Sequence, residues 1–313
     1  MRAVRIHAFG GPDTVNIEDV PTPEPRPGEV LIRVMAAALN PVDWKIREQL
    51  FNPLGADRVP LTLGQDFSGR VVALGPGAIE SATDTIAPLA IGSEVLGETW
   101  GSFAEYVVAP ARNVVFKPPG LAHVTAASLP MPSLTAWQAV IDSARASSEL
   151  RILVHGAAGG VGSFAVQLAR LHGAWVIGTA SPPSFDWLRR IDISEIVDYQ
   201  HERFEDRVRD VDVVIDPFGG EVQARSWKVL KPGGLLINLI GQVDEAAAAR
   251  AGVGALAFGM RYDTQELREI VGLVDDGLIL PHVAKVLSLT EARQAMDLNQ
   301  QGRSHGQIVL KVA

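Results

Sequence analysis

The sequence predicts an α/β protein with two kinds of structure, a β-rich part and a doubly wound parallel sheet. Three observations carry that expectation. The first third holds short strand-like runs separated by Gly and Pro. From about residue 116 strands and helices alternate, the pattern of a parallel sheet covered on both faces. After residue 260 the chain changes again, to two amphipathic helices and a closing strand, GQIVLKVA. The expected borders are 1–115, 116–260 and 261–313.

Taken in order, MRAVRIH and TVNIEDV read as strands, and EVLIRVMAAAL as a longer one entered through the turn PTPEPRPGE. FSGRVVALG, SEVLG and FAEYVVA follow, and residues 76–92 read as a surface loop. TAASLPMPSLTAWQAVIDSA reads as helical and RILVHG as a strand. SFAVQLARLHG, DWLRRI and EVQARSWKVL read as helices between the strands WVIGTA, EIVDY, VDVVID and LLINLIG. The charged run HERFEDRVRD reads as a solvated surface, and DEAAAARAG as a low-complexity tract. TQELREIVGLVDDG and LTEARQAMDLNQQ are the amphipathic helices of the tail.

Composition bounds the function. With 313 residues, 47% hydrophobic and 20% charged, the chain has the make-up of a globular protein of two ordinary domains. It has no cysteine, which excludes disulfides, Cys-ligated zinc, Fe–S clusters and a thiol nucleophile, and suits a reducing, cytoplasmic compartment. The net charge of −8 argues against nucleic acid or an anionic membrane as partner. MRAVRIHAFG has no apolar leader core, and no apolar run is long enough to predict a membrane span. His7, His123, His172 and His201 are scattered and do not form a metal-ligand pattern.

The chemistry begins at HGAAGGVG, residues 155–162, where six of eight residues are Gly or Ala between a strand and a helix. At such a turn the amides and the helix N-terminus form an anion site, and small residues let a pyrophosphate approach the main chain. Gly159 and Gly162 fill the second and third positions of G-x-G-x-x-G, while Ala157 stands at the first, after Gly156. The competing reading is a tight β–α turn packed for sheet geometry, and the placement between RILVH and an amphipathic helix favours the dinucleotide. An NAD site wants an acid about 20 residues on, for the ribose 2′-OH. Here WVIGTASPPS carries none, and Asp186 is the first. Thr179 and Ser181 are candidate donors to a 2′-phosphate, and Arg189 or Arg190 a candidate charge, unless those arginines are a solvated helix face. NADP(H) is therefore favoured.

At these residues the sequence resembles the zinc-independent quinone oxidoreductase branch of the medium-chain dehydrogenase/reductase superfamily. The resemblance runs through NPVDWKIR (40–47), GQDFSGRV (64–71), GSFAEYVV (101–108) and LPMPSLTAWQAV (129–140). It continues through the glycine loop, EIVDY (195–199), DPFGG (216–220) and GRSHGQIVL (302–310). It implies a GroES-like β-rich catalytic domain made from both ends of the chain, with a Rossmann domain between them. It also implies that Thr135 lies near the nicotinamide and that Gly159, Gly160, Val161 and Gly162 hold the pyrophosphate. By the same resemblance Thr179, Ala180 and Ser181 face the adenosine ribose, with Tyr199 beside the adenosine phosphate. Phe218, Leu239 and Ile240 line the nicotinamide ribose, and Arg303 and His305 reach over the cofactor. Relatives often carry S-x-R-N after the TAS segment, where this chain has Pro183, so NADH use stays open beside NADPH. The branch also implies a homodimer paired along the last Rossmann strand, expected at LLINLI (235–240).

Zinc-dependent relatives place a Cys near residues 40–43 and a His in G-H-E. This chain has NPVDWK and GQDFSG, with Gln65 where the His would be, and a neutral amide is a poor zinc ligand. Without a Lewis acid, hydride delivery to a quinone or an α,β-unsaturated carbonyl is easier than alcohol oxidation. Asn40 is a candidate donor to the substrate carbonyl, and Asp43 or Lys45 a candidate for proton delivery. The bland alternatives are a turn-capping Asp43 and a surface Lys45. Asp66 is expected to bind backbone rather than to react. Trp44, Phe51, Leu54, Trp100 and Met260 are candidate walls for a flat substrate, although each also suits a core. A second class of function stays open: an NADPH-binding sensor or interaction protein with little turnover.

Overall fold

A computed structural model describes residues 1–51, 55, 58–82, 88–302 and 304–313. Its strands in chain order are β1 (Arg2–Ile6), β2 (Val15–Asp19), β3 (Glu29–Leu39), β4 (Leu61–Thr62), β5 (Asp66–Leu74), β6 (Glu94–Glu98), β7 (Tyr106–Pro110) and β8 (Val114–Phe116). Then come β9 (Arg151–Val154), β10 (Trp175–Ala180), β11 (Glu195–Asp198), β12 (Val211–Asp216), β13 (Leu230–Asn238), β14 (Gly254–Ala257), β15 (Val283–Ser288) and β16 (Gln307–Lys311). The chain forms two compact units, Met1–Met131 with Tyr262–Ala313, and Pro132–Arg261. The first break thus falls later than the change of texture at 115/116. Helix His123–Ala127 belongs with the first unit because Ala127 packs with Ala36, Ala38 and Val309 on its sheet.

In the first unit, β15, β16, β3, β5, β6 and β8 lie side by side, with β7 also on β3. The tail strand β16 runs antiparallel to β3, with Ile308 opposite Leu39, so both ends of the chain share one sheet. On β3 the alternation in EVLIRVMAAAL sends Val30, Ile32 and Val34 into the core with Phe67 and Val71 of β5. Helix Pro41–Arg47 follows β3 directly, started by Pro41 in its first turn after the extended Asn40. Its last residue, Arg47, is fully buried. The guanidinium donates to Gly10 O (3.2 Å), Glu48 Oε1 (2.6 Å) and Gln300 Oε1 (2.7 Å), tying the N-terminal loop and helix Ala292–Gln300 to the NPVD segment.

In the second unit, the order β11-β10-β9-β12-β13-β14 is parallel throughout. Helix Gly160–Leu171 presents Phe164, Ala165, Val166, Leu168 and Ala169 to the interior. A cluster of Leu153, Ile177, Val197, Val214 and Leu236 forms part of the sheet's core.

Several expectations are corrected. LLINLI is not the last strand: β13 ends at Asn238 and pairs with β14, which forms the sheet's outer edge. Gly254-Ala-Leu-Ala257 has little β propensity, which hid it. The alanine tract is helix Glu245–Ala251, capped by Asp244 accepting from Ala247 N at 2.8 Å and closed by Gly252 at φ +69°. HERFEDRVRD is not wholly solvated, since Phe204 and Glu205 are buried. The long helical stretch before β9 breaks into His123–Ala127, Pro130–Trp137 and π-helical turns over Gln138–Ser143. The loop at 76–92 contains a short helix, Ala78–Ser81, and a buried Leu89.

Replacing Arg47 strips three acceptors of their donor inside the first unit. Arg47→Ala is expected to lower the unfolding free energy by about 3 kcal/mol, read from urea denaturation. A midpoint unchanged from wild type would show that water replaces the guanidinium without loss.

Candidate functional site

The second unit gathers its predicted site residues at one end of the parallel sheet, where the strands' C-termini lie. The glycine loop follows β9, Thr179 and Ala180 end β10, Tyr199 follows β11, Phe218 follows β12, and Leu239 and Ile240 follow β13. Strand order reverses between β9 and β12, the place in such sheets where a crevice opens for a ligand. Gly159 starts helix Gly160–Leu171 from an extended conformation. A Cβ on Gly162 would stand 2.2 Å from Gly156 O, so the helix begins in direct contact with the turn that precedes it. Gly156 itself is at φ +60°, and a Cβ there would meet Phe218 Cζ at 3.0 Å. Such a bare backbone cradle at a helix start suits a pyrophosphate.

Two buried polar knots hold the loops around it. Asp216 accepts from Phe218 N (2.9 Å), Gly219 N (3.0 Å) and Asn238 Nδ2 (3.0 Å). Asn238 Oδ1 accepts from Ile240 N (3.1 Å) and Gln242 N (3.0 Å). The second knot contains Thr179, only 3% exposed, whose hydroxyl lies 3.2 Å from both His155 Nδ1 and Gly156 N. That hydroxyl is engaged inside the unit. Ala180 and Ser181 are also buried, whereas Tyr199 and Phe218 stand exposed. Thr135 is buried, and Leu239, Ile240 and Met260 are half-buried. Arg189 is exposed and pairs with Asp186 at 2.9 Å. Arg190 lies over the Trp187 ring.

In the first unit, Asn40, Asp43, Trp44 and Lys45 share helix Pro41–Arg47 and its cap. Asn40 and Asp43 are buried. Asp43 Oδ2 accepts from Asn40 N at 2.7 Å, and Asn40 Nδ2 donates to Asp66 Oδ2 at 2.9 Å. Asp43 is thus the cap of N-P-V-D. Asp66 also takes the Met131 amide at 3.1 Å, the backbone role expected of it. Glu98 stands opposite Asp66 across β5 and β6. Burial pushes the Asp43 carboxyl up to about 7, with the Glu98 charge adding to the shift. Burial alone does the same for Glu98, also to about 7, and burial followed by Glu98 drives Asp66 well above the usual range. Asp43 Oδ1 and Glu98 Oε2 are buried without a hydrogen-bond partner. Three such carboxylates hold protons that exposed ones would release.

Lys45 is half-buried, which lowers its ammonium pKa, and it lies 5.8 Å from the Trp44 ring centre. Trp44 packs partly against the core. Phe51 is 50% and Trp100 41% exposed. His305 is exposed, at φ +51°. Leu54 and Arg303 lie outside the described residues. The residues do not fit zinc: the chain has no cysteine, Gln65 is an amide, and no group of three or more His, Asp or Glu among the described residues is arranged for a metal. The sequence reading missed His155, Glu98, Asp216 and Asn238 as supports of the site. Each has a neighbour far away in the chain: Ser226 for His155, Asp66 for Glu98, and Asp216 and Asn238 for each other.

The carboxylate cluster fixes a pH dependence. Each folded pKa lies above the unfolded value of about 4. The stability from keeping these groups protonated is full below pH 4 and is lost as pH rises through about 7. Asp43→Asn is expected to keep the cap and to flatten the fall in stability between about pH 4 and about pH 7, by up to about 1.4 kcal/mol per pH unit. Urea unfolding across that range, with equal slopes for variant and wild type, would refute the shift.

Residues 26–119 match the family described as alcohol dehydrogenase GroES-like domain, and residues 191–310 the family described as zinc-binding dehydrogenase. Two Streptomyces polyketide synthases, from S. halstedii and S. venezuelae, are each 35% identical over 91% and 92% of this chain. The chain spans only 5% and 8% of their lengths. The 2-methylene-furan-3-one reductase of Solanum lycopersicum is 31% identical, over 99% of this chain and 79% of that protein. The structure of the quinone oxidoreductase from Coxiella burnetii superposes with a TM-score of 0.91 at 31% identity, covering 100% of this chain and 99% of the other. A mycobacterial protein solved in complex with NADPH gives a TM-score of 0.90 at 25% identity, over 99% and 100% of the two chains. With a GroES-like unit, a six-stranded parallel sheet and these relatives, the chain belongs to the quinone oxidoreductase branch of the medium-chain dehydrogenase/reductase superfamily.

Proposed function

We propose that the chain reduces a quinone or an α,β-unsaturated carbonyl with NADPH, without zinc. The observation that carries this reading is the bare glycine cradle at the sheet's switch point, followed by a β10 that ends without an acid. In this reading the amides of Gly159 to Gly162 hold the pyrophosphate, and Phe218, Leu239, Ile240 and Thr135 border the nicotinamide end. Bound NADPH supplies a hydride to the electrophilic carbon of the conjugated acceptor. The chain's own part is to orient the acceptor, to exclude water and to place a proton on the resulting oxygen or carbon. Asn40 has one amide hydrogen committed to Asp66, and its second is the group that would meet a substrate carbonyl. Lys45, with its ammonium made more acidic by burial, is the proposed proton donor, directly or through water. Exposed Phe51 and Trp100 suit flat acceptors. Arg189 supplies the charge for the 2′-phosphate by exchanging its exposed Asp186 partner for the ligand. A homodimer through the open edge of β14, with Leu256 exposed on that strand, completes the reading.

NADPH absorbance followed against a panel of quinones and enones, with NADH in parallel, tests this function. Fast oxidation by one acceptor class is expected, together with a preference for NADPH that shrinks about tenfold in Arg189→Ala. Tight NADPH binding with no oxidation would favour a sensor or interaction protein, and preference for NADH would overturn the reading of TASPPS. Light scattering is expected to give about twice the 33.5 kDa chain mass, and a 33.5 kDa particle would reject the dimer.

A further inference from the structure

His155 lies immediately before the glycine turn and is buried with both ring nitrogens engaged. The direction of its hydrogen bonds follows from its neighbours. Ser226 Oγ donates to Val222 O at 2.7 Å, so it accepts at 2.9 Å from His155 Nε2–H. The bare Nδ1 then accepts from the Thr179 hydroxyl at 3.2 Å, and Thr179 Oγ1 accepts from Gly156 N at 3.2 Å. Burial holds the ring neutral, down to about 4, against the opposing charges of Asp216 and Glu205, with Arg225 adding to the lowering. The ring of Phe204 meets it edge-on at 4.6 Å. One unidirectional chain thus runs from the first amide of the glycine turn to helix Gly220–Ser226. That helix follows the 216–220 loop, whose Phe218 ring lies against Gly156.

We propose that His155 and Thr179 are positioning residues that lock the glycine turn to the 216–220 loop and thereby set the affinity for the dinucleotide. Neither touches the ligand in this account. The proposal rests on the reading of the glycine turn as a pyrophosphate site, and it differs from the family-based role of Thr179 as an adenosine contact. A ligand contact and a support make different predictions. Losing a 2′-phosphate contact would weaken NADPH and leave NADH unchanged. Losing the support weakens both nicotinamide cofactors equally and also loosens the turn when no ligand is present.

The experiment compares the full chain with Thr179→Val, Thr179→Ser and Ser226→Ala. Thr179→Val is expected to raise the Kd of NADPH and of NADH by the same factor, about tenfold, and to raise KM with kcat nearly unchanged. Thr179→Ser restores the hydroxyl and is expected to bind within about twofold of wild type. Ser226→Ala should move both constants in the same direction as Thr179→Val. In the absence of cofactor, hydrogen exchange of the amides at 155–162 should quicken about tenfold in Thr179→Val and not in Thr179→Ser. Unchanged exchange in a folded Thr179→Val protein overturns the proposal, as does a loss confined to NADPH. Failure of the wild-type chain to bind either cofactor would defeat the cofactor reading instead, and the exchange result would still decide whether the lock exists.

Discussion

Everything at the parallel-sheet site depends on one close approach, that of Gly162 to the carbonyl of Gly156. The missing Cβ lets helix Gly160–Leu171 start within contact of the turn that ends β9. With a side chain there, about 2.2 Å from a backbone oxygen, turn and helix would have to separate. The helix would then lose its seat, and the amides at its start would no longer converge. The other loops follow from that seat. His155 N bonds Ile215 O of β12, and Ala157 N bonds Thr179 O of β10, so the glycine turn takes its backbone partners from the strands on either side of β9. Asp216 and Asn238 extend the same arrangement to the ends of β12 and β13.

The first unit solves a different problem. Its NPVD segment must leave a long strand and enter a helix in a buried place, where each polar backbone group needs a partner. Asp43 supplies one for Asn40 N, and Asp66 supplies them for Asn40 Nδ2 and Met131 N. The consequence is three carboxyl groups with few cations to balance them and raised proton affinity in each. Burial of charge is costly, and protonation is the cheapest relief. Arg47, at the other end of the same short helix, instead has its charge met by the Glu48 carboxylate, with Gly10 O and Gln300 Oε1 as further acceptors.

Much of this was legible before any coordinates. The alternation of strand and helix after residue 116, the glycine turn and the return of the tail all follow from local periodicity and turn chemistry, and β16 pairing with β3 fits that return. What the sequence hid was of two kinds. Strands β14 and β15 carry weak local signals, the first because Gly and Ala bury little on a sheet edge. The partners of buried polar groups were hidden because they are set by strand register, as Glu98 opposite Asp66 and Asn238 beside Asp216, or by helix packing, as Ser226 beside His155. No spacing in the chain announces these pairs.

The same reasoning explains why short polar side chains around both sites bond the nearby main chain. Thr179 and Asp43 each accept from a neighbouring backbone amide, that of Gly156 and that of Asn40, which would otherwise lack this acceptor. A hydroxyl or carboxyl on a short side chain reaches such an amide more readily than a ligand outside, and the buried amide makes that bond costly to give up. Residues with longer reach, or with aromatic faces, escape this capture. Tyr199 and Phe218 remain exposed at the strand ends of one unit, and Phe51 and Trp100 on the other. Within the second unit, the aromatic faces of Tyr199 and Phe218 are thus the ones left open at the strand ends. The buried polar groups act one layer behind them, holding the backbone to which a dinucleotide would bind.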